Sequence, residues 1–273
     1  MTTTLYDTSR GIVEYTYLGS GPAILLLKGG HSTRNTDLSH NSLVYEGYSL
    51  LTISRPGYDY TEVSTGRTPE EFAKTIIEVL DHLSIAKAAV IAIAGAGPTG
   101  LALASAYPSR VTKLVMEAAC ISSGKDGGQR GKWLFSTADR VVWVSIKAML
   151  KFFPEIIMKQ KLTELTTENA DEFFERLSPN DRHFVYNMLA TSQSRKEYKE
   201  DSNSSILDLE KVHVPVLGMY SSKDKTVEFS NALLLKSHAP NCELYEVNAD
   251  SHLIWIGKDA RQVWEKRLQF LSH

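Results

Sequence analysis

Short apolar runs alternate with amphipathic stretches along the first half of the chain, and this alternation constrains the fold more than any other feature. Continuous apolar runs of this length predict buried strands, and the stretches between them have the spacing of helices with one apolar face. The strand patterns are "AILLLK" at 23–28, "YSLLTIS" at 48–54, "AAVIAIA" at 88–94 and "VTKLVMEAA" at 111–119, and the helix patterns span 68–85 and 97–107. Strands that alternate with helices form a mostly parallel central sheet flanked by helices, so we predict an α/β fold.

The stretch before these elements has a different pattern. "GIVEYTYL" at 11–18 alternates apolar and polar residues, which is typical of a strand with one exposed face. We predict an antiparallel strand here, at the edge of the sheet.

The pattern changes again in the second half of the chain. Residues 122–207 have the pattern of consecutive helices that are rich in aromatic residues and methionine, and no strand pattern lies among them. Strand and helix patterns resume with "VPVLGMYSS" at 214–222 and continue to a last helix at 259–272. We therefore predict an α/β core made of residues 1–121 and 208–273, with a helical cap, or lid, over 122–207.

The composition excludes several classes of protein. The chain has 273 residues, enough for one large core, and its net charge of -2 with scattered Lys and Arg does not favour nucleic acid or an anionic membrane as a partner. Cys120 and Cys242 lie far apart without CxxC spacing, so we expect neither a metal site nor a disulfide.

Because the sequence has no signal-peptide pattern and no apolar run long enough for a membrane span, we expect a cytoplasmic protein. We also expect no cofactor, a small-molecule partner, and a monomer or weak homodimer.

The segment "VIAIAGAGPTGLALASAYP" at 90–108 allows two interpretations. Gly95, Gly97 and Gly100 form a G-x-G-x-x-G pattern after an apolar run, as in a dinucleotide-binding turn, and Glu117 lies where an acid could bind a ribose hydroxyl. That pattern normally follows the first strand of its unit, whereas two strand patterns and a capped helix precede it here. The second interpretation is a sharp strand-to-helix turn that presents a catalytic nucleophile.

Motifs in order along the chain favour the nucleophile turn. "LLLKGGHS" and "SRPGYD" end two of the predicted strands, and "LALASAYPSRV" follows the turn itself. "VLGMYSSKDKTV" and "VNADSHL" end the last two predicted strands and contain Asp224 and His252. With these motifs the chain resembles the α/β-hydrolase family over nearly its whole length. The resemblance implies an α/β-hydrolase fold, in which nucleophile, acid and histidine follow one another in this order.

The resemblance also implies a role for each site residue. Ala94 occupies the position of the nucleophilic serine of an esterase, His252 would be the general base, and Asp224 would orient the imidazole. The N–H groups of Gly95 and Gly30 would form the oxyanion hole, which stabilises the negative oxygen of the tetrahedral intermediate.

The implied activity is hydrolysis of a carboxylic ester, including cyclic esters such as lactones and macrolactones, but Ala94 leaves alternatives open. One explanation is a Ser→Ala replacement that lets the protein hold a substrate without turnover. We favour it because a chain that had lost catalysis would have no reason to keep Asp224 and His252. The other explanation is a natural alanine, which would make the protein a non-catalytic binder. A cofactor-free lyase or oxygenase that relies on His252 alone also remains open.

Aromatic residues of the cap and one residue of the first loop are the candidate substrate-binding residues. They are His31, Trp133, Phe135, Trp143 and Tyr186. An apolar substrate would suit these side chains, and packing of the cap helices on one another is the alternative explanation for the aromatic residues.

Two positions depart from the family pattern. Lys28 stands where histidine is usual, and its ammonium group would need a partner if it were buried. Asp59 stands where a glycine is common.

Overall fold

One sheet of eight strands forms the centre of the molecule. A computed structural model describes residues 3–121, 139–193 and 209–272, with the backbone alone over 139–142. The strands in chain order are β1 Thr4–Thr8, β2 Gly11–Leu18, β3 Ala23–Leu27, β4 Ser49–Ile53, β5 Ala88–Ile93, β6 Val111–Glu117, β7 Val216–Tyr220 and β8 Cys242–Glu246. Each predicted strand is present, although most are shorter than their apolar patterns.

The strands lie in the order β1-β2-β4-β3-β5-β6-β7-β8. Only β2 runs opposite to the others, and every neighbouring pair from β4 to β8 is parallel. The predicted mostly parallel α/β sheet is therefore confirmed. The predicted edge position of residues 11–18 is wrong, because β2 lies between β1 and β4 and buries Glu14 and Thr16 as well as its apolar residues. The short and partly polar β1 is the strand at this edge of the sheet, and its pattern was too weak to predict a strand.

Helices cover the sheet and also form a segment between β6 and β7. They are α1 Pro69–His82, α2 Gly97–Ala106, α3 Asp139–Phe152, α4 Pro154–Leu162, α5 Ala170–Arg176, α6 Pro179–Thr191, α7 Ser230–His238 and α8 Ala260–Ser272. The start of α1 is as predicted, since the Thr68 hydroxyl accepts the N–H of Glu71 at 3.2 Å and Pro69 is the first helical residue. Among the described residues, no helix is both long and apolar enough to cross a bilayer.

Apolar side chains pack on both faces of the sheet. Along β3, Leu25 and Leu27 join one apolar cluster while Ile24 and Leu26 join the other, because successive residues of a strand point to opposite faces. Helices α1, α2 and α7 contribute to the first cluster, and α8 and the helices α3 to α6 contribute to the second. The helical segment 139–193 is thus part of the same packed structure as the sheet.

The helical segment 139–193 is also hydrogen-bonded to loops at the carboxyl ends of the strands. Thr166 forms an isolated β-bridge with Asp224, and the carbonyl of Leu165 accepts the N–H of His252 at 2.8 Å. The N–H of Gln193 donates to the carbonyl of His31, in the loop after β3, at 2.9 Å. Ligands of parallel α/β sheets bind outside these strand ends, so the segment lies next to the expected site.

Candidate active site

Ala94 directly follows β5, in the turn that leads into α2. Its φ is 49°, in the left-handed region that a residue with a Cβ adopts only at a cost in free energy. A short 3₁₀ turn over Ala94–Ala96 then leads into the helix. A sharp strand-to-helix turn with positive φ at this residue is the geometry that a nucleophile turn requires.

Close packing explains the glycines of this turn without a dinucleotide. A Cβ on Gly100 would lie only 2.7 Å from the Cβ of Ala92 on β5, and a Cβ on Gly97 would overlap the carbonyl of Cys120. Glu117 is fully buried and its carboxylate is bonded to other side chains, so it is not placed to bind a ribose. Across the described ranges, no group of three or more His, Cys, Asp or Glu side chains is placed to bind a metal ion.

Asp224 and His252 lie in the loops after β7 and β8, and their side chains contact each other. His252 Nδ1 lies 2.6 Å from Asp224 Oδ2, and both residues are buried. Asp224 Oδ1 accepts the N–H groups of Thr226 and Val227 at 2.7 and 2.8 Å. The carboxylate is therefore fixed on both oxygens and favours the tautomer with the proton on Nδ1, which leaves Nε2 as an acceptor. An imidazole held in that tautomer can take a proton from a hydroxyl group or from water.

Cys120, in the loop after β6, is hydrogen-bonded to Ala94. Its N–H donates to the carbonyl of Ala94 at 3.0 Å. Burial, together with the negative charge of Asp224, raises the pKa of the Cys120 thiol to about 11. The thiol is therefore protonated at neutral pH and does not supply the nucleophile that Ala94 lacks.

Gly30 and Gly95 lie side by side. A Cβ on Gly95 would lie 3.4 Å from the amide nitrogen of Gly30. In the part of the chain that the structure describes, neither of these two amides donates to a protein oxygen. The Gly30 carbonyl, in contrast, accepts the Tyr58 hydroxyl at 2.9 Å and the Arg55 guanidinium, which fixes the loop after β3. Two adjacent N–H groups in a fixed loop can stabilise a negative oxygen.

The two departures from the family pattern have local explanations. Lys28 is buried, and its Nζ donates to the carbonyl oxygens of Arg34 at 2.8 Å and Thr36 at 2.6 Å. Burial lowers the pKa of Lys28 to about 8. Asp59 has a φ of 49°, which explains why glycine is common there, and its carboxylate accepts the Ser54 hydroxyl at 2.8 Å. Both side chains therefore stabilise loops beside the candidate site.

The candidate substrate-binding residues are only partly described. The His31 ring contacts the Trp143 ring, with centroids 4.7 Å apart, so this part of the helical segment lies on the loop after β3. Burial, together with the positive charge of Arg55, lowers the pKa of His31 to about 4. Tyr186 is half-buried on α6 and packs against the second apolar cluster. Trp133 and Phe135 lie outside the described residues.

A buried network surrounds Glu117, and the sequence patterns did not predict it. Glu117 Oε1 accepts Nε of Arg267 at 2.5 Å, while Oε2 accepts the indole N–H of Trp255 at 2.6 Å and lies 2.9 Å from Nε2 of His40. Burial by itself raises the pKa of Glu117, but Arg267 and His40 outweigh it and hold the pKa well below its usual range. Trp255 belongs to the segment that carries His252, so the network anchors that segment. An acid at the end of an apolar strand pattern was the only sequence signal for it.

Comparisons with known proteins agree with this architecture. The family model described as alpha/beta hydrolase fold matches residues 22–259. The chain is 31% identical to "Uncharacterized hydrolase YcgS" of Bacillus subtilis, over 96% of this chain and 95% of that protein. It is 25% identical to a 2-hydroxy-6-oxononadienedioate/2-hydroxy-6-oxononatrienedioate hydrolase of Burkholderia vietnamiensis, over 90% of this chain and 83% of that protein. An alpha/beta hydrolase fold protein from Nakamurella multipartita has a similar solved structure, with a TM-score of 0.83, 23% identity and 98% of both chains covered. The chain belongs to the alpha/beta hydrolase fold family.

Proposed function

We propose that this site is the site of a carboxylic ester hydrolase, for a linear ester or a lactone, in which alanine replaces the nucleophilic serine at position 94. The observation that carries the proposal is the contact of 2.6 Å between His252 Nδ1 and Asp224 Oδ2, with both Asp224 oxygens bonded. Such an arrangement orients the imidazole as a base. The pair lies in the loops after β7 and β8, at the same sheet edge as Ala94 after β5, where the ligands of parallel α/β sheets bind.

The remaining parts of an ester hydrolase support the same proposal. The left-handed residue at the end of β5 is the position from which a hydroxyl group would attack the carbonyl carbon. His252 would take the proton of that hydroxyl, and the N–H groups of Gly30 and Gly95 would stabilise the oxygen of the tetrahedral intermediate. Because Ala94 has no oxygen, the chain forms no acyl-enzyme, while binding of the ester does not depend on that oxygen.

A second candidate function is favoured by one observation. The pair of Asp224 and His252 is complete without any contribution from residue 94, so His252 Nε2 is able to take a proton from water or from the substrate directly. That chemistry would make the protein a hydrolase, lyase or oxygenase that works without a nucleophilic serine.

We also propose that the helical segment between β6 and β7, part of the predicted cap over 122–207, acts as a lid. The hydrogen bonds from the His252 N–H to the Leu165 carbonyl and from the Gln193 N–H to the His31 carbonyl, and the packing of Trp143 on His31, support this role. A lid at this place would cover an apolar part of the substrate and exclude water during the reaction.

The experiment is to compare Ala94→Ser with the unaltered chain on a panel of short p-nitrophenyl esters and lactones. The proposal predicts that Ala94→Ser gains ester hydrolysis by a factor that approaches about a million, the typical effect of a triad nucleophile. The unaltered chain should bind the same esters and return them intact. A folded Ala94→Ser variant without activity on the whole panel contradicts the proposal, and rapid turnover by the unaltered chain supports the second candidate instead.

A further inference from the structure

Arg55, in the loop after β4, places a guanidinium group at the loop that carries Gly30. Its Nη2 donates to the Gly30 carbonyl, and its Cζ lies 4.3 Å from the centre of the Tyr58 ring. Its Nε is buried without a hydrogen-bond partner in the described residues. Neutral groups alone therefore hold this side chain in place.

Within the described part of the chain, no acid pairs with the partly buried guanidinium of Arg55, whereas Arg34 and Arg267 each have an acidic partner. Arg34 pairs with Glu14 at 2.9 Å, and Arg267 pairs with Glu117 at 2.5 Å. Across residues 3–121, 139–193 and 209–272, no carboxylate oxygen lies within the 4.0 Å of an ion pair from Arg55. A partly buried guanidinium without a counter-charge is unfavourable, and an anion beside it would lower the free energy.

Nitrogen atoms of Arg55 and Gly30 lie near the same place at the nucleophile turn. The position that a Cβ on Gly95 would occupy lies 3.4 Å from the Gly30 amide nitrogen and 3.9 Å from Arg55 Nη1. Nη1 is the terminal nitrogen that does not bond the Gly30 carbonyl. A cationic nitrogen and a neutral amide nitrogen thus lie near one point beside Gly95. Donors of this kind bind carboxylates with short, charge-assisted hydrogen bonds.

We propose that the site takes a ligand with a free carboxylate, held by Arg55 Nη1 beside Gly95, while the Gly30 N–H is left for the reacting carbonyl. This inference rests on the proposed ester hydrolysis and names its substrate class. Since the carboxylate lies next to the donors that would stabilise the reacting carbonyl, the substrates are half-esters of short dicarboxylic acids, or lactones that carry a carboxylate a few bonds from the ester.

The test is calorimetric titration of the unaltered chain with monomethyl succinate and with methyl succinamate, its uncharged amide of similar shape. We expect monomethyl succinate to bind at least about tenfold more tightly, as a charge-assisted contact allows. Arg55→Met should weaken the binding of monomethyl succinate by about tenfold or more and leave the binding of methyl succinamate unchanged. Arg55→Lys keeps the charge and should keep part of the preference.

Two control variants separate charge recognition from loop structure. Tyr58→Phe removes the other donor to the Gly30 carbonyl without a change of charge, so it should change the binding of both ligands by the same factor. Arg110→Met removes a surface guanidinium that pairs with Asp81 and should affect neither. Equal binding of the two ligands to the unaltered chain, or no binding of either, overturns the inference. The inference is also overturned if Arg55→Met weakens the binding of both ligands equally, because Arg55 would then only position the loop.

The inference and the proposed function fail in distinguishable ways. If Ala94→Ser hydrolyses uncharged esters while the unaltered chain shows no preference for monomethyl succinate, the inference alone is wrong. If the preference is found and depends on Arg55, but Ala94→Ser hydrolyses no ester, the proposed function is wrong and the carboxylate site stands.

Discussion

The indole N–H of Trp255 donates to Oε2 of Glu117 at 2.6 Å, and this bond joins the segment that carries His252 to the end of β6. Glu117 is 0% exposed and also holds the guanidinium of Arg267, which is 1% exposed. Glu117→Gln should lower the free energy of unfolding by about 3 kcal/mol or more, because it leaves a buried guanidinium without its counter-charge. Urea unfolding at pH 7 measures this loss.

Glu265→Gln is the matched control for this prediction. Glu265 forms a surface pair with Arg261, whose side chain is 87% exposed, so its loss should change the free energy of unfolding by less than about 1 kcal/mol. Equal stability of the two variants would contradict a structural role for the buried network.

The two glycines of the loop after β3 should differ in their tolerance of a methyl group. A Cβ on Gly29 would overlap backbone atoms of Ile93, Gly95 and Ala96, so Gly29→Ala should destabilise the protein by about 3 kcal/mol or displace the nucleophile turn. A Cβ on Gly30 meets nothing within 4 Å, so Gly30→Ala should cost only about 1–2 kcal/mol for its positive φ of 59°. Urea unfolding of both variants measures which one loses more free energy of unfolding. A larger loss for Gly30→Ala than for Gly29→Ala would contradict this packing.

Stability should fall between pH 7 and pH 5, in part because of His31. The folded pKa of His31 is lowered to about 4, below the value in the unfolded chain, so the unfolded state binds more protons in this range. Protonation therefore favours unfolding as the pH falls below the unfolded pKa of about 6.5. His31→Gln should reduce the loss of free energy of unfolding between these two pH values by about 2 kcal/mol.

Urea unfolding at pH 7, 6 and 5 checks the His31 prediction. His213→Gln is its control, because His213 is exposed and its replacement removes no buried imidazole. If His31→Gln shows the same loss between pH 7 and pH 5 as the unaltered chain, the imidazole of His31 is not buried in solution.

Asp224→Asn tests the orientation of His252 in the Ala94→Ser background. The asparagine amide favours the wrong tautomer of the imidazole, so kcat should fall by a factor on the order of 10⁴. Asp250→Asn is the control, because Asp250 lies close to His252 in sequence but pairs with Lys223 at 2.8 Å and Arg176 at 3.2 Å. Its effect on kcat should stay below about fivefold, as for other exposed ion pairs. Similar losses in the two variants would contradict the assigned role of Asp224.

The sheet was predictable because each of its central strands is marked by a pattern of neighbouring residues in the sequence. Each central strand is a short apolar run, and candidate site residues lie in the loops that follow: Ala94 comes directly after β5, and Asp224 lies in the loop after β7. Parallel strands bring such residues to one edge of the sheet, so the order of motifs was enough to predict that Asp224 and His252 lie near each other. The edge strand β1 was missed because its five residues alternate weakly and include polar side chains.

The buried ion networks were not predictable, because their partners are distant in sequence. Glu117 is bonded to residues 77, 138 and 150 positions away, and no local pattern pairs an acid on a strand with an arginine on the last helix. The same holds for Arg55, whose importance depends on its closeness to Gly30 and Gly95 rather than on the "SRPGYD" motif. Apolar periodicity predicts elements, whereas the pairing of charges depends on the finished packing.

Covalent labelling of the Ala94→Ser variant with a fluorophosphonate tests the central claim most directly. A serine oxygen at position 94 should attack phosphorus as fluoride leaves and His252 takes the proton, and intact-mass measurement followed by peptide mapping should show a single adduct at residue 94. The unaltered chain and the Ala94→Ser, His252→Gln double variant should show none. An Ala94→Ser variant that is folded by circular dichroism and takes no adduct at residue 94 would contradict the assignment of this turn and of Asp224 and His252 as the machinery of a serine hydrolase.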